Sequence, residues 1–136
     1  VCVLRCDWSA ELIQCTPRSV VPIIRMFLEP EPAGRSLVAI ERYVIGGRTA
    51  RTRNRAAQTI TQALIEHVRI TANAHVVMRS ASEVKPWATD KRLRAAGLYV
   101  PGMAHARDAA RHALFAAVRQ GGFIDPLSRR SPSLEV

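Results

Sequence analysis

Lysine is almost missing from this chain. Of its 20 cationic residues only Lys85 and Lys91 are lysines; the other 18 are arginines, set against 11 Asp and Glu. Long hydrophobic runs are missing too. The longest, residues 20–24 and 113–118, fall far short of the ~20 residues that span a bilayer, so no membrane segment is expected. The first residues lack the basic, apolar and small-residue succession of a secretory signal. Three cysteines, Cys2, Cys6 and Cys15, make no disulfide framework, and no second ligand pair stands at zinc spacing. They are expected as buried thiols in a reducing cytoplasm.

What is present is a 136-residue chain that is 48% hydrophobic, enough for one core, expected over residues 1–124 with a flexible tail over 125–136. The formal charge of +9 is carried by guanidinium groups, which grip phosphate bidentately. It points to a polyanion, DNA or RNA foremost, with a merely well-solvated basic surface as the alternative.

Along the chain, residues 1–4 and 10–15 flank the turn-like Asp7-Trp-Ser and predict a hairpin. Thr16-Pro17 supplies an N-cap and a first-turn proline for a helix whose apolar face is Val20, Val21, Ile23, Ile24, Phe27 and Leu28. Ser36-Leu-Val-Ala-Ile-Glu41 is a continuous apolar run closed by a carboxylate, the pattern of a strand buried on both faces. Residues 52–71 carry Ala56, Ile60, Ala63, Leu64, His67 and Val68 at helical spacing, with Arg51, Arg53 and Arg55 at their start. His75-Val-Val-Met predicts another strand, from which Ser82-Glu-Val-Lys-Pro leads away. Thr89 caps a helix that Gly97 stops. The last helix is expected over 104–120, with Ala109, Leu114, Ala117 and Val118 facing a core. The order is that of an α/β sandwich with a hairpin edge.

Two acids suit metal chemistry: Glu41 at its strand end and Asp108 on the last helix. Mg²⁺ takes hard oxygen ligands, usually one or two carboxylates, with water and substrate phosphate filling the rest. Around Asp108, His105 and His112 recur at i−3 and i+4, so the three share one helical stripe. That pattern fits a site and fits a solvent-facing stripe equally. His67 and His75 read as structural, and Trp87 as a packing residue.

Val38-Ala-Ile-Glu41-Arg-Tyr43, Glu83-Val-Lys85, Thr89-Asp-Lys91 and His105-Ala-Arg-Asp108-Ala-Ala, in that order across residues 1–118, resemble the landmarks of RuvC-type Holliday-junction resolvases, particularly the short phage versions. The resemblance implies an RNase H-like mixed sheet flanked by helices. It implies a metal-dependent endonuclease that cleaves branched or four-way DNA in recombination, repair or phage genome processing, in a bacterial cell or infected host. Two Mg²⁺ or Mn²⁺ ions per site are implied, with Glu41 as the strand-end acid and a homodimer formed through the 52–71 helix. The family's last helix carries acids at i and i+3. The better register places His105 and Asp108 there, with histidine in place of one carboxylate, as a ligand or as a general acid or base. The other register, Asp108 with Arg111, sets a cation where a metal would sit. Lys85 matches a family lysine that neutralises the scissile phosphate, or is a surface lysine. Tyr43 corresponds to an aromatic used against junction bases, or is a core tyrosine. Arg42, Arg48, Arg51, Arg53 and Lys91 join Lys85 as the expected DNA contacts, although a charge run at a helix start also suits a solvated face. Two alternatives stand beside this: a non-catalytic nucleic-acid-binding module on a degenerate nuclease fold, and another RNase H-like enzyme acting on RNA–DNA hybrids or in transposition.

The family also has a first strand bearing a metal-binding Asp, ahead of the strand that residues 1–6 resemble. Asp7 does not fill that role, because residues 8–36 leave room for about one strand and one helix where the family has two strands and a helix. The expectation is therefore a sheet without its first strand in residues 1–136, and an upstream segment that supplies the Asp. Reading the codons before Val1 tests this: an early in-frame stop with no usable start codon overturns it.

Overall fold

The computed structural model describes residues 1–42, 53–71 and 74–128, with the side chains of 53–57 and 71 set aside. β1 (Cys2–Leu4) and β2 (Ala10–Leu12) form an antiparallel hairpin in the register Cys2↔Leu12, Val3↔Glu11 and Leu4↔Ala10. Asp7 is a turn residue, as its sequence context predicts. Its Oδ1 accepts the Ser9 N–H at 2.9 Å, the side-chain mimic of a backbone turn. The turn forces Trp8 to a φ of +69°, and its ring packs edge-on against Phe123 at 4.9 Å.

A 3₁₀ turn, Pro17–Ser19, leads into α1 (Val20–Leu28). Thr16 does not cap the backbone; its hydroxyl lies 3.0 Å from that of Ser19 instead, because Pro17 opens the tighter turn before the α-helix begins. Pro22 is the third residue of α1, where an N–H has no intrahelical acceptor to lose. All six apolar positions of this face are half-buried, and Val20, Val21, Ile24 and Leu28 pack against the core.

β3 (Leu37–Glu41) and β4 (His75–Arg79) pair in parallel, from Leu37↔His75 to Glu41↔Arg79. Between them runs α2 (Arg53–Glu66), whose end widens into a π-helical turn, His67–Thr71. Alternation along the strands sorts their side chains between two layers. Val38, Ile40, Val76 and Met78 meet α1 and the buried Leu64, Ile65, Val68 and Ala74. Leu37, Ala39 and Glu41 alternate to the opposite face, toward α5 (Ala104–Gln120), which packs on β3. Burial on both faces, expected of residues 36–41, is reached only at Ile40; the other apolar positions are half-buried. Among the described residues each strand of this ladder is paired on one edge only.

After β4 comes a one-turn helix, α3 (Ala81–Val84), where the sequence reading had a plain connection. Glu83 closes the turn by accepting the Ser80 N–H and hydroxyl at 3.2 and 3.1 Å. α4 (Asp90–Ala95) follows, with the Thr89 hydroxyl accepting the Arg92 N–H at 3.3 Å. Gly97, at φ +73°, turns the chain so that the Leu98 N–H reaches the Leu93 carbonyl at 2.8 Å.

α5 also crosses the hairpin. Leu93, Leu98, Ala110 and Leu114 form a second core cluster with Cys2, Leu4, Trp8, Ala10 and Leu12 beside it. Ala106, Phe115 and Ala116 are buried as well, whereas Ala109 and Ala117, expected inside, are half-buried. The difference arises because α5 packs on β1, β2, β3, α3 and α4 together, so its covered surface is broader than one stripe. Cys2 and Cys15 are half-buried and Cys6 is exposed past the end of β1, which corrects the expectation of three buried thiols. Burial pushes the Cys2 thiol up to about 11.

Asp125, expected to open a flexible tail, is held by the Arg92 guanidinium at 3.1–3.3 Å and accepts the Leu127 N–H at 3.0 Å; residues 129–136 lie outside the described residues. Five arginines lie over three rings: Arg79 over Phe115, Arg92 over Trp87, Arg94 and Arg107 over Tyr99, and Arg119 over both Trp87 and Phe115. Trp87 packs, as expected, edge-on against Phe115 at 5.5 Å. Among the described residues no helix is long and apolar enough to cross a membrane.

Leu114 is fully buried where α5 meets the hairpin. Leu114→Ala is expected to lower unfolding stability by about 2–5 kcal/mol, read from the urea midpoint, while Met26→Ala, at a residue 68% exposed, changes it little.

Candidate active site

Glu41 is the last residue of β3, and its register partner is Arg79. The backbone ladder continues one step further, with the Arg42 N–H donating to the Arg79 carbonyl at 2.8 Å. Glu41 is therefore held by its backbone while its side chain remains 42% exposed. Facing it from α5 is His112, with Nε2 3.7 Å from Glu41 Oε2. That separation exceeds hydrogen-bond reach. His112 is only 5% exposed and its Nε2 has no hydrogen-bond partner.

Burial holds the imidazole below its ordinary pKa of 6.5. The charge of Lys85 acts in the same direction, while Glu41, Asp108 and Glu83 pull against it. Desolvation prevails because the ring is inside the fold and the carboxylate it faces is partly in water. At neutral pH the ring carries no charge.

One turn earlier on α5 stands Asp108, whose Oδ1 is 3.4 Å from Lys85 Nζ and 3.6 Å from Arg111 Nε. Arg111 is well covered, with a side chain 14% exposed. It donates to the Ala88 carbonyl at 2.6 Å and pairs with Asp90, whose carboxyl is held below its usual range chiefly by that hydrogen bond. Arg111 is thus a clamp joining α5 to the start of α4. Glu83 pairs with Arg79 at 3.6 Å, and the Ser80 hydrogen bonds lower its pKa. The structure therefore gathers Glu41, Lys85, Asp108 and His112 from β3, the end of α3 and α5, and adds Glu83, Asp90 and Arg111 around them.

The family register favours His105 as the helical histidine. It is exposed, and the seven-residue step to His112 is about 10 Å along the helix axis, so the ring that meets Glu41 is that of His112. Lys91 and Arg42 are exposed. Arg42 Nη2 reaches the Met78 carbonyl only at 3.5 Å. Tyr43, Arg48 and Arg51 lie outside the described residues, and Arg53 opens α2 with its side chain undescribed. Glu83 had a legible signal, the Ser80-x-x-Glu83 spacing of a capping box. Asp90 and Arg111 had none, since their pairing spans 21 residues.

Among the described residues no group of three or more His, Cys, Asp and Glu is arranged to hold a metal ion. The donors that do lie near one another are the open carboxylate of Glu41 and the unpartnered Nε2 of His112, with Asp108 one turn away on the same helix face. A cavity of about 410 Å³ lined by Arg35, Leu37, His75 and Gly121 lies at the opposite end of β3 and β4, some 13 Å from Glu41 at a strand's rise per residue. It is separate from this cluster.

No protein-family model, no curated protein and no solved structure matches the chain.

His112 also sets a pH dependence. Well above pH 6.5 the ring is neutral folded and unfolded; as pH falls through 6.5 the unfolded chain takes a proton that the folded one refuses, and stability drops until the lowered folded pKa is passed. The urea midpoint of the wild type is expected to fall between about pH 7.5 and about pH 5.5 more steeply than that of His112→Gln. Parallel pH profiles would remove His112 as the cause.

Proposed function

We propose that the chain is a metal-dependent endonuclease of the RuvC type, with an RNase H-like fold, acting on branched DNA. The observation that carries this reading is the meeting of Glu41, at the end of a parallel strand, with His112 and the Lys85–Asp108 pair on and beside the last helix. An apolar strand ending in an acid is common on its own. An acid, a lysine and a second acid drawn from β3, α3 and α5 into one cluster, in the order the resemblance implies, is much less so.

The sheet edges left unpaired among the described residues support the same reading. β1 and β3 both pack on α5 but belong to separate two-stranded sheets. In the RNase H-like arrangement a further strand lies between these two and carries the additional acid, which would join both sheets into one.

In this proposal Glu41 would hold Mg²⁺ or Mn²⁺, with Asp108 joining it once Lys85 turns to the substrate, and the cation would supply charge neutralisation at the phosphate and activation of the attacking water. Lys85, half-exposed beside Asp108, is placed to leave its carboxylate and neutralise a non-bridging oxygen of the scissile phosphate. Arg111 keeps α5 in register with α4, so that Asp108 and His112 do not drift from Glu41. The exposed Arg42 and Lys91 extend a basic path for the DNA backbone.

A second reading, a nucleic-acid-binding module without cleavage, is favoured by one observation: both cations nearest Asp108 already neutralise it. The two readings separate in one assay. Four-way junction, flap and RNA–DNA hybrid substrates are incubated with the full chain, including any upstream strand, in Mg²⁺ or Mn²⁺. Nicking of the junction is expected, reduced at least about 100-fold by Glu41→Ala or Asp108→Ala, which is the scale of losing a charge-stabilising group, with circular dichroism unchanged. Salt-sensitive binding without nicking supports the second reading, and undiminished nicking by both variants removes these residues from the mechanism.

A further inference from the structure

We propose that His112 is a nitrogen ligand of the cation at Glu41, and that it makes this centre select a first-row transition dication such as Mn²⁺ over Mg²⁺. This rests on the nuclease reading only in taking Glu41 as a metal ligand. His112 has the attributes of a donor awaiting an acceptor: it is 5% exposed, and its Nε2 is buried without a hydrogen-bond partner. An unpartnered buried polar atom is destabilising, and a cation shared with Glu41 would satisfy it.

The geometry is close to that of a shared ion. Two ligands at a right angle, each about 2.1 Å from an octahedral cation, stand ~3 Å apart; Nε2 and Oε2 are 3.7 Å apart. His112 is fixed inside α5, whereas the Glu41 carboxylate is 42% exposed and free to close the remaining distance by rotating. Asp108 is less available, because Lys85 and Arg111 both approach its Oδ1. His105 is exposed and lies about 10 Å further along the axis.

The selectivity follows from ligand chemistry. Mg²⁺ keeps an all-oxygen shell and dehydrates reluctantly, while first-row dications accept imidazole nitrogen beside carboxylate oxygen. A site with one carboxylate and one imidazole therefore loses little with Mn²⁺ and much with Mg²⁺. Two protein donors make a weak, open site, with its remaining positions filled by water and phosphate oxygens.

The test uses tag-free protein labelled with ¹⁵N-histidine and titrated with Mn²⁺. The free-ion electron paramagnetic resonance signal gives binding, and pulsed measurements report histidine nitrogen coupled to the bound ion. The wild type is expected to bind Mn²⁺ at least about fivefold more tightly than Mg²⁺ competes for the same site, with a ¹⁵N coupling. His112→Gln is expected to lose the coupling and the Mn²⁺ advantage, Glu41→Gln to weaken binding of both ions, and His105→Gln to change nothing. The wild-type coupling can be read even if His112→Gln fails to fold. Bound Mn²⁺ without histidine coupling, coupling that disappears in His105→Gln but survives His112→Gln, or no Mn²⁺ binding at millimolar concentration overturns the assignment. Junction cleavage is scored separately: cleavage without nitrogen coupling rejects this ligand and leaves the nuclease reading, while coupling without cleavage rejects the nuclease reading alone.

Discussion

The packing of α5 against one face of β3 is the contact on which the rest of the candidate site depends. Strand alternation sends Val38 and Ile40 into the α1–α2 layer and leaves Leu37, Ala39 and Glu41 for α5. Because the last of these is a carboxylate at the strand end, the same geometry that fills the core also sets an acid at its rim. The helix answers with His112, one turn beyond Asp108. Shifting α5 by a single residue would rotate the imidazole by about 100°, away from Glu41. The fully buried Ala106, Ala110 and Leu114 hold the helix against such a slip.

The longer helices and the two strands β3 and β4, though not their pairing, were legible because each has a local cause. Thr89 and Gly97 bracket α4, Gly121 follows the last turn of α5, and residues 37–41 and 75–79 are short apolar runs bounded by turn residues. The one-turn α3 was passed over although Ser80 and Glu83 carry a cap spacing, since four residues give periodicity too little length to register. Sheet number was not legible at all: the apolar run ending in Glu41 reads as a strand in the middle of a sheet, whereas in the described residues it pairs on one edge only.

Within the candidate site, the stripe of His105, Asp108 and His112 was visible from spacing. Which part of it meets the strand was not. Helical periodicity gives the angle around an axis and says nothing of the height at which a neighbour crosses, so the choice between two histidines two turns apart needed the tertiary contact. The same limit hid Arg111. As a ligand position it was unfavourable on charge; as a clamp between Asp108, Asp90 and the Ala88 carbonyl it is well suited, because a guanidinium offers donors in several directions from one plane.

That planarity explains the near-absence of lysine. Arg79, Arg92, Arg94, Arg107 and Arg119 sit over Phe115, Trp87 and Tyr99, and Arg92 does so while its N–H groups grip Asp125 and the Trp87 carbonyl. An ammonium cannot cover a ring and keep an edge free in this way. Five of the 20 cationic residues are thus employed as mortar among β4, α4, α5 and the chain after them. The number of counterions that a polyanion displaces on binding is set by the side chains left free to meet phosphate, and by that measure the protein is a less basic partner than its +9 suggests.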